Sequence, residues 1–114
     1  MQHNKRIRYA GRDYEIFWTS EHALHVCANF RIGTLHDIHH LDISQLLEQY
    51  VEVRILDKGR YVFLCWSGQR RCVYEVYVYL VEGGRNRPGR CVVLTGYRSN
   101  KAQYITAVIQ RLRP

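Results

Sequence analysis

The sequence predicts an α+β fold in which N-terminal helices are followed by a four-stranded antiparallel sheet and a C-terminal helix. Apolar residues recur at helical spacing near the start and the end of the chain, whereas residues 51–94 alternate or run apolar as strands do. Short turns separate these strands, which favours antiparallel pairing. At 114 residues there is room for one domain. We expect that domain over residues 13–114, preceded by a basic arm at residues 1–12.

Two helices are predicted ahead of the sheet, after a short strand-like run at residues 14–18. Ser20 suits the N-cap of the first helix, because its hydroxyl can accept a free backbone N–H. The apolar stripe that follows consists of Ala23, Leu24, Cys27 and Ala28. Asp42 suits the cap of a second helix at residues 41–50, whose buried face would be Ile43, Leu46, Leu47 and Tyr50.

The pattern changes to that of strands at Val51. Alternation or continuous apolar character predicts strands at residues 51–55, 61–66, 72–81 and 91–94. Gly59 permits a tight turn after the first strand, and residues 83–89 form a long loop that carries arginines. Ser99 suits the cap of a last helix, whose apolar face would be Ala102, Ile105, Val108, Ile109 and Leu112.

Charge is distributed unevenly along the chain, whose formal net charge is +7. Residues 1–12 have four basic side chains and no acidic one, residues 13–57 have eight acidic and two basic, and residues 58–114 have eleven basic and two acidic. Such segregation is typical of proteins that bind polyanions. RNA is therefore the expected partner, and a merely solvated basic face is the alternative.

The cysteine pattern predicts a reducing compartment, and the hydropathy predicts no membrane span. None of the four cysteines, Cys27, Cys65, Cys72 and Cys91, forms a CxxC pair, so we expect free thiols, although a disulfide between neighbouring strands stays open. No apolar run approaches the roughly 20 residues that span a bilayer. The N-terminus also lacks the apolar core of a signal peptide. We expect a cytoplasmic protein without a membrane partner.

Several side chains suit metal-free RNA cleavage, in which the ribose 2′-hydroxyl attacks the phosphate and needs a base, an acid and cations. His22, near the start of the first helix, is the candidate acid or base, with His25 one turn on. Thr95, Tyr97 and Arg98 end a buried strand and could bind phosphate or the 2′-hydroxyl, stack on a base and neutralise charge. The candidate phosphate contacts are Lys58, Arg60, Arg85, Arg87 and Arg90.

Two further groups of residues have a functional and a structural interpretation. His36, His39 and His40 invite a zinc site with Asp37 or Cys27, but only one such cluster is present. A polar loop between helices is the simpler explanation, and no metal or cofactor is predicted. The tyrosines of the long strand, Tyr74, Tyr77 and Tyr79, would stack bases if exposed, although cross-strand packing is more frequent. Tyr77 and Tyr79 share a face with Glu75, which predicts that this face is the wetter one.

Two segments resemble the barnase–EndoU–colicin–RelE superfamily of small ribonuclease toxins. SEHALHVCANFRIGTLHDI is similar to their N-terminal helix with a histidine followed by a second helix, and CVVLTGYRSN is similar to their C-terminal strand ending in Thr or Ser, an aromatic and an arginine. The resemblance implies a four-stranded antiparallel sheet, His22 as general base or acid, and Thr95, Tyr97 and Arg98 as the closing cluster. The C-terminal helix and the long loop at residues 82–90 depart from that pattern.

Three functions follow from these observations. The first is a metal-independent endoribonuclease toxin that an acidic antitoxin or immunity protein neutralises. The second is an RNA-binding module without catalysis, whose arginines would give a steep salt dependence. The third is a basic inhibitor that docks an acidic protein.

Overall fold

The computed structural model describes residues 5–113, which form one six-stranded sheet and three helices. In chain order the elements are β1 (Arg6–Tyr9), β2 (Arg12–Phe17), α1 (Ser20–Asn29), α2 (His40–Leu47), β3 (Tyr50–Asp57), β4 (Arg60–Ser67), β5 (Cys72–Val81), β6 (Gly89–Arg98) and α3 (Ala102–Leu112).

The sheet is mixed, and its strand order is β1-β2-β6-β5-β4-β3. All neighbouring strands are antiparallel except β2 and β6, which run parallel with Ile16 opposite Cys91. The prediction of a four-stranded antiparallel sheet after N-terminal helices is therefore wrong. A β-hairpin precedes the helices, and its second strand adds to the far edge of the meander.

The N-terminal hairpin depends on the backbone conformation of its turn and on one close contact with β6. Ala10 and Gly11 at its turn have positive φ, 53° and 77°, which suits the twist of a tight hairpin. The ring of Tyr14 lies over Gly89, where a Cβ atom would be 2.7 Å from the ring. Part of the predicted basic arm thus belongs to the sheet as β1, while residues 1–4 lie outside the described residues.

The helices cover the two faces of the sheet unequally. α1 and α2 pack on one face, which we call the helical face, where Val26, Ile43 and Leu47 join the core. The strands contribute Phe63, Cys65, Tyr74, Val76, Val78, Leu80, Cys91 and Val93 to that core. On the opposite face, which we call the α3 face, Val108 is buried among residues of β4 and β5.

Element boundaries agree with the sequence pattern best in the middle of the meander. β5 has the predicted bounds, residues 72–81, whereas β6 extends well beyond the predicted residues 91–94. Thr19 rather than Ser20 caps α1, and His39 rather than Asp42 caps α2. The Ser99 hydroxyl accepts the N–H of Lys101 at 3.3 Å, although α3 itself has no side-chain cap at its first residue. No helix within residues 5–113 is long and apolar enough to cross a membrane.

Candidate functional site

The residues predicted to form one active site lie at two ends of the sheet. Arg98 is the last residue of β6, and Arg90 is its second residue, so the rise per residue places them roughly 25 Å apart. Lys58 lies in the β3–β4 turn, at the same end of the sheet as Arg90. The loop that carries Arg85 and Arg87 is at this end too. The predicted phosphate contacts therefore cluster away from Arg98.

Tyr97 and Arg98 also point to opposite faces of the sheet, because successive residues of a strand alternate. The Tyr97 hydroxyl donates to the Tyr77 hydroxyl at 3.2 Å on the α3 face. Arg98 binds Asp37 on the helical face. Thr95 pairs with Tyr77 and so shares the α3 face with Tyr97.

His22 belongs to the first turn of α1, on the helical face. Its backbone N–H donates to the Thr19 hydroxyl at 3.1 Å, and its Nδ1 lies 2.9 Å from the same hydroxyl. No hydrogen bond or ring contact joins it to Thr95, Tyr97 or Arg98, all of which the structure describes. His22 therefore has a structural role at the helix start, and its catalytic role stays a prediction.

An apolar and cationic row crosses the uncovered half of the α3 face. Phe17, Val92, Tyr79 and Arg60 are successive partners on β2, β6, β5 and β4. α3 packs against β3, β4 and β5 only in part, and it leaves Phe17 40% and Tyr79 43% exposed. The Arg90 guanidinium carbon lies 5.1 Å from the centroid of the Phe17 ring. We call these five residues the platform.

The cations of the platform and of the neighbouring loops differ in whether they form ion pairs. Arg60 binds Asp57 through two hydrogen bonds, which lower the pKa of that carboxyl and raise the pKa of Arg60. Within residues 5–113, no ion pair is formed by Lys58, Arg85, Arg87 or Arg90. Their charge is therefore available to an anion from outside the protein.

A cleft connects the platform with the loop between β5 and β6. It has a volume of about 460 Å³, and Val81, Arg87 and Arg90 contribute to its lining. Two carboxylates line it as well, Glu15 and Glu82, and they form ion pairs with Arg6 and Arg12. Val81 is 46% exposed and pairs with Arg90, so the floor of the cleft continues the sheet surface. An extended ligand that crosses the platform can thus reach the loop arginines without leaving the surface.

A buried charged group adjoins the platform along β5 and β6. Glu75 has no exposed surface, in contrast to the wetter face that the sequence predicted for it. Its Oε1 accepts the Tyr77 hydroxyl at 2.6 Å and the Lys101 ammonium at 3.3 Å. Burial and the hydrogen bond to Glu75 raise the pKa of Tyr77. The rings of Tyr77 and Tyr97 stack, with centroids 5.7 Å apart.

His36 brings an imidazole to this face from the α1–α2 loop. Its ring centroid lies 5.5 Å from that of Tyr97, and its side chain is exposed. The loop reaches this position because the Arg98 N–H donates to the Leu35 carbonyl at 2.8 Å, beyond the end of β2. The histidine next to Tyr97 is therefore His36 and not His22.

Asp37 fixes the same loop on the helical face. Its Oδ1 accepts the Tyr74 hydroxyl at 2.8 Å, and its carbonyl accepts Arg70 at 2.6 Å. Arg98 completes the group, so this guanidinium stabilises the fold, whereas Arg90 of the platform forms no ion pair within residues 5–113. Burial is the main reason that the pKa of Tyr74 is raised to about 12.

Cys27, His39 and His40 form the group in the described chain that is suited to a metal ion. Burial, and the neighbouring His39, lower the pKa of His40. Cys65 and Cys91 are buried in the core, and burial raises the pKa of the Cys91 thiol to about 12. Those two thiols have no access to a ligand.

Comparison with family models, with curated proteins and with solved structures finds no match to this chain.

Sequence reasoning missed the platform because its members come from four separate strands. Phe17 carried a usable signal, since it ends an alternating run, but its partner across the sheet is 75 residues away along the chain. Arg60 and Arg90 were identified by charge alone. The sequence indicates His36 as a zinc ligand or as part of a polar loop, because its contact with Tyr97 depends on how the loop passes the edge of β6.

Proposed function

We propose that this protein binds single-stranded RNA across the platform and the loop arginines. The observation that carries the proposal is the pair of exposed rings, Phe17 and Tyr79, on a sheet surface flanked by Arg60 and Arg90. Aromatic and guanidinium planes stack on unpaired bases, and stacking is tolerant of sequence. A double helix hides its base faces, so the ligand is expected to be single-stranded.

The cations supply the second half of the proposal. Arg85, Arg87 and Lys58 lie at the end of the sheet where the platform opens, and they suit contacts with phosphates. Thr95 and Tyr97, on the same face, have hydroxyls suited to the ribose 2′-hydroxyl, which distinguishes RNA from DNA. This retains the predicted roles of these residues in binding.

Fluorescence anisotropy with a labelled single-stranded RNA tests the proposal. Phe17→Ala and Tyr79→Ala should each weaken binding about five- to 150-fold, because stacking on one aromatic ring contributes about 1–3 kcal/mol. Leu24→Ala is the matched control, since Leu24 is 69% exposed on α1 and lies on the helical face. Its dissociation constant should equal that of the unsubstituted protein.

Three results would contradict the proposal. The first is an equal loss of RNA affinity in Leu24→Ala and in the platform variants. The second is an equal affinity for duplex and single-stranded RNA, and the third is no affinity for RNA at low ionic strength. Polyglutamate serves as a probe for the competing idea of an acidic protein partner. If it competes with RNA and binds the Phe17→Ala variant equally well, the surface is a charge patch for proteins rather than a stacking surface for bases.

Endoribonuclease activity is the second candidate, and the position of His36 favours it. Its imidazole lies against Tyr97 on the face where Thr95 is exposed in part, so a bound ribose could meet a proton acceptor there. Incubation of RNA with the protein in EDTA decides between binding and cleavage. Cleavage that is lost in His36→Ala but kept in His22→Ala would assign the activity to this face, whereas the reverse would return it to His22.

A further inference from the structure

The end of α1 and the start of α2 bring one thiol and two imidazoles together. Cys27 lies in the last turns of α1, His39 caps α2, and His40 is the first residue of α2. The three side chains are partly buried, and one ligand atom from each lies within 4.8 Å of the other two. The cluster is on the helical face, whereas the platform is on the α3 face.

The two sulfur–nitrogen distances in the cluster are close to those of ligands around one tetrahedral ion. The Cys27 sulfur lies 3.6 Å from His39 Nε2 and 3.3 Å from His40 Nδ1. Zinc bonds of about 2.3 Å to sulfur and about 2.0 Å to nitrogen, at a tetrahedral angle, separate those atoms by about 3.5 Å. The arrangement therefore needs only small side-chain movements to accept an ion at its centre.

Neighbouring side chains hold the two imidazoles in place. The edge of the Trp18 ring meets His40, with centroids 5.5 Å apart, and the Trp18 indole N–H donates to Ser44 at 2.7 Å. The Phe30 ring meets His39 in the same way, with centroids 6.4 Å apart. Such surrounding contacts orient ligands before a metal binds.

We propose that Cys27, His39 and His40 bind one zinc ion. A thiolate with two imidazoles suits zinc, while magnesium and calcium prefer oxygen ligands. No fourth histidine, cysteine or carboxylate joins the group within residues 5–113, so the fourth position is open to water or to a ligand. Open positions of this kind belong to sites that activate or exchange a ligand.

Binding changes the protonation of the cluster in a defined way. The Cys27 thiol loses its proton to solvent and forms a sulfur–zinc bond, so one proton is released for each ion bound. Without metal, His39 Nδ1 accepts the Leu41 N–H at 3.4 Å, which leaves the proton on Nε2. Coordination by Nε2 requires that proton on Nδ1 instead, so zinc binding breaks the long Leu41 hydrogen bond.

Titration with Co²⁺, followed by displacement with Zn²⁺, tests the site in the full chain. We expect one ion per chain, a thiolate-to-cobalt charge-transfer band and a higher unfolding temperature with zinc. Cys27→Ser and His39→Gln should each weaken zinc affinity more than 100-fold, beyond the 10- to 100-fold effect of residues outside the ligand set. Cys72→Ser and His25→Gln are the matched controls, and they should bind as the unsubstituted protein does.

The proposal fails if the folded protein binds no zinc at micromolar concentration, if magnesium competes equally, or if Cys27→Ser retains the charge-transfer band. Circular dichroism of each variant without metal shows whether it is folded. If Cys27→Ser does not fold, His39→Gln and His40→Gln give the same test, because zinc affinity that survives in both would overturn the site. RNA affinity is not part of the readout, so its outcome leaves this test unaffected.

Discussion

The Glu75 carboxylate has no exposed surface, yet within residues 5–113 only Lys101 forms an ion pair with it. Glu75 Oε1 accepts two hydrogen bonds, whereas its Oε2 is buried without a hydrogen-bond partner. Burial lowers the pKa of Lys101, but the hydrogen bond and the charge of Glu75, with smaller effects of neighbouring tyrosines, outweigh it, so the pKa is raised. The start of α3 therefore depends on a charge pair as well as on apolar packing.

Lys101→Met should lower the free energy of unfolding by about 2 kcal/mol. Removal of one partner leaves a buried charge uncompensated, a loss of about 3–5 kcal/mol that we discount because the Lys101 side chain is 41% exposed. Urea unfolding followed by circular dichroism measures it. The double variant Glu75→Gln with Lys101→Met should recover part of the loss, because it removes the charge that lacked a partner. If the double variant loses as much free energy of unfolding as the two single variants lose together, this explanation is contradicted.

At the scale of elements, the α1–α2 loop closes the edge of β6 where β2 ends. Its backbone accepts the Arg98 N–H, and Asp37 accepts Tyr74 and Arg98 from two strands. Because Asp37 is only 7% exposed, these bonds are largely shielded from water. The loop thus positions His36 on one face while Asp37 is anchored on the other.

Asp37→Asn should lower the free energy of unfolding by about 2 kcal/mol, since hydrogen bonds to charged groups contribute about 1.5–3 kcal/mol. Asp13→Asn is the matched control, because Asp13 also pairs with an arginine but its side chain is 50% exposed. Its effect should stay below about 1 kcal/mol. Chemical denaturation of both variants provides the comparison, and an equal effect would show that burial of Asp37 is unimportant.

The sequence predicted those elements whose signals are local. β5 has ten consecutive residues of strand character, and its bounds were predicted correctly. Arg6–Tyr9 also alternates as a strand does, but its positive charge is equally typical of a basic arm. The parallel pairing of β2 with β6 has no local signature, because it depends on which distant edge is free. The predicted fold class was wrong for this reason. The platform could not be predicted either, because it depends on the pairing of β2 with β6.

In the folded protein, acidic and basic residues that are far apart in the sequence form ion pairs. Acidic residues of the middle segment bind cations from both ends of the chain: Glu48 pairs with Lys5, and Glu52 pairs with Arg111. The segregation along the sequence is therefore only partly preserved in space. Of the seven lysines and arginines within residues 5–113 that form no ion pair, four lie at one end of the sheet, namely Lys58, Arg85, Arg87 and Arg90.

Affinity for RNA should fall steeply with salt. Four phosphate contacts, from Lys58, Arg85, Arg87 and Arg90, predict a slope of about −3 for log K against log salt, since each contact on a single strand contributes about −0.7. Arg87→Ala should reduce the slope by about 0.7, whereas Phe17→Ala should weaken binding without changing it. Anisotropy titrations over a series of salt concentrations measure both. A slope near zero would exclude the loop as a phosphate contact.

The parallel pairing of β2 with β6 also determines when the sheet can form during synthesis. β2 is made before β6, because Ile16 precedes its partner Cys91 by 75 residues along the chain. Until then Tyr14 has no Gly89 beneath its ring, and the edge of β2 that will pair with β6 has no partner. Contacts this distant along the chain slow folding. The nascent hairpin therefore keeps an open strand edge until β6 has been made.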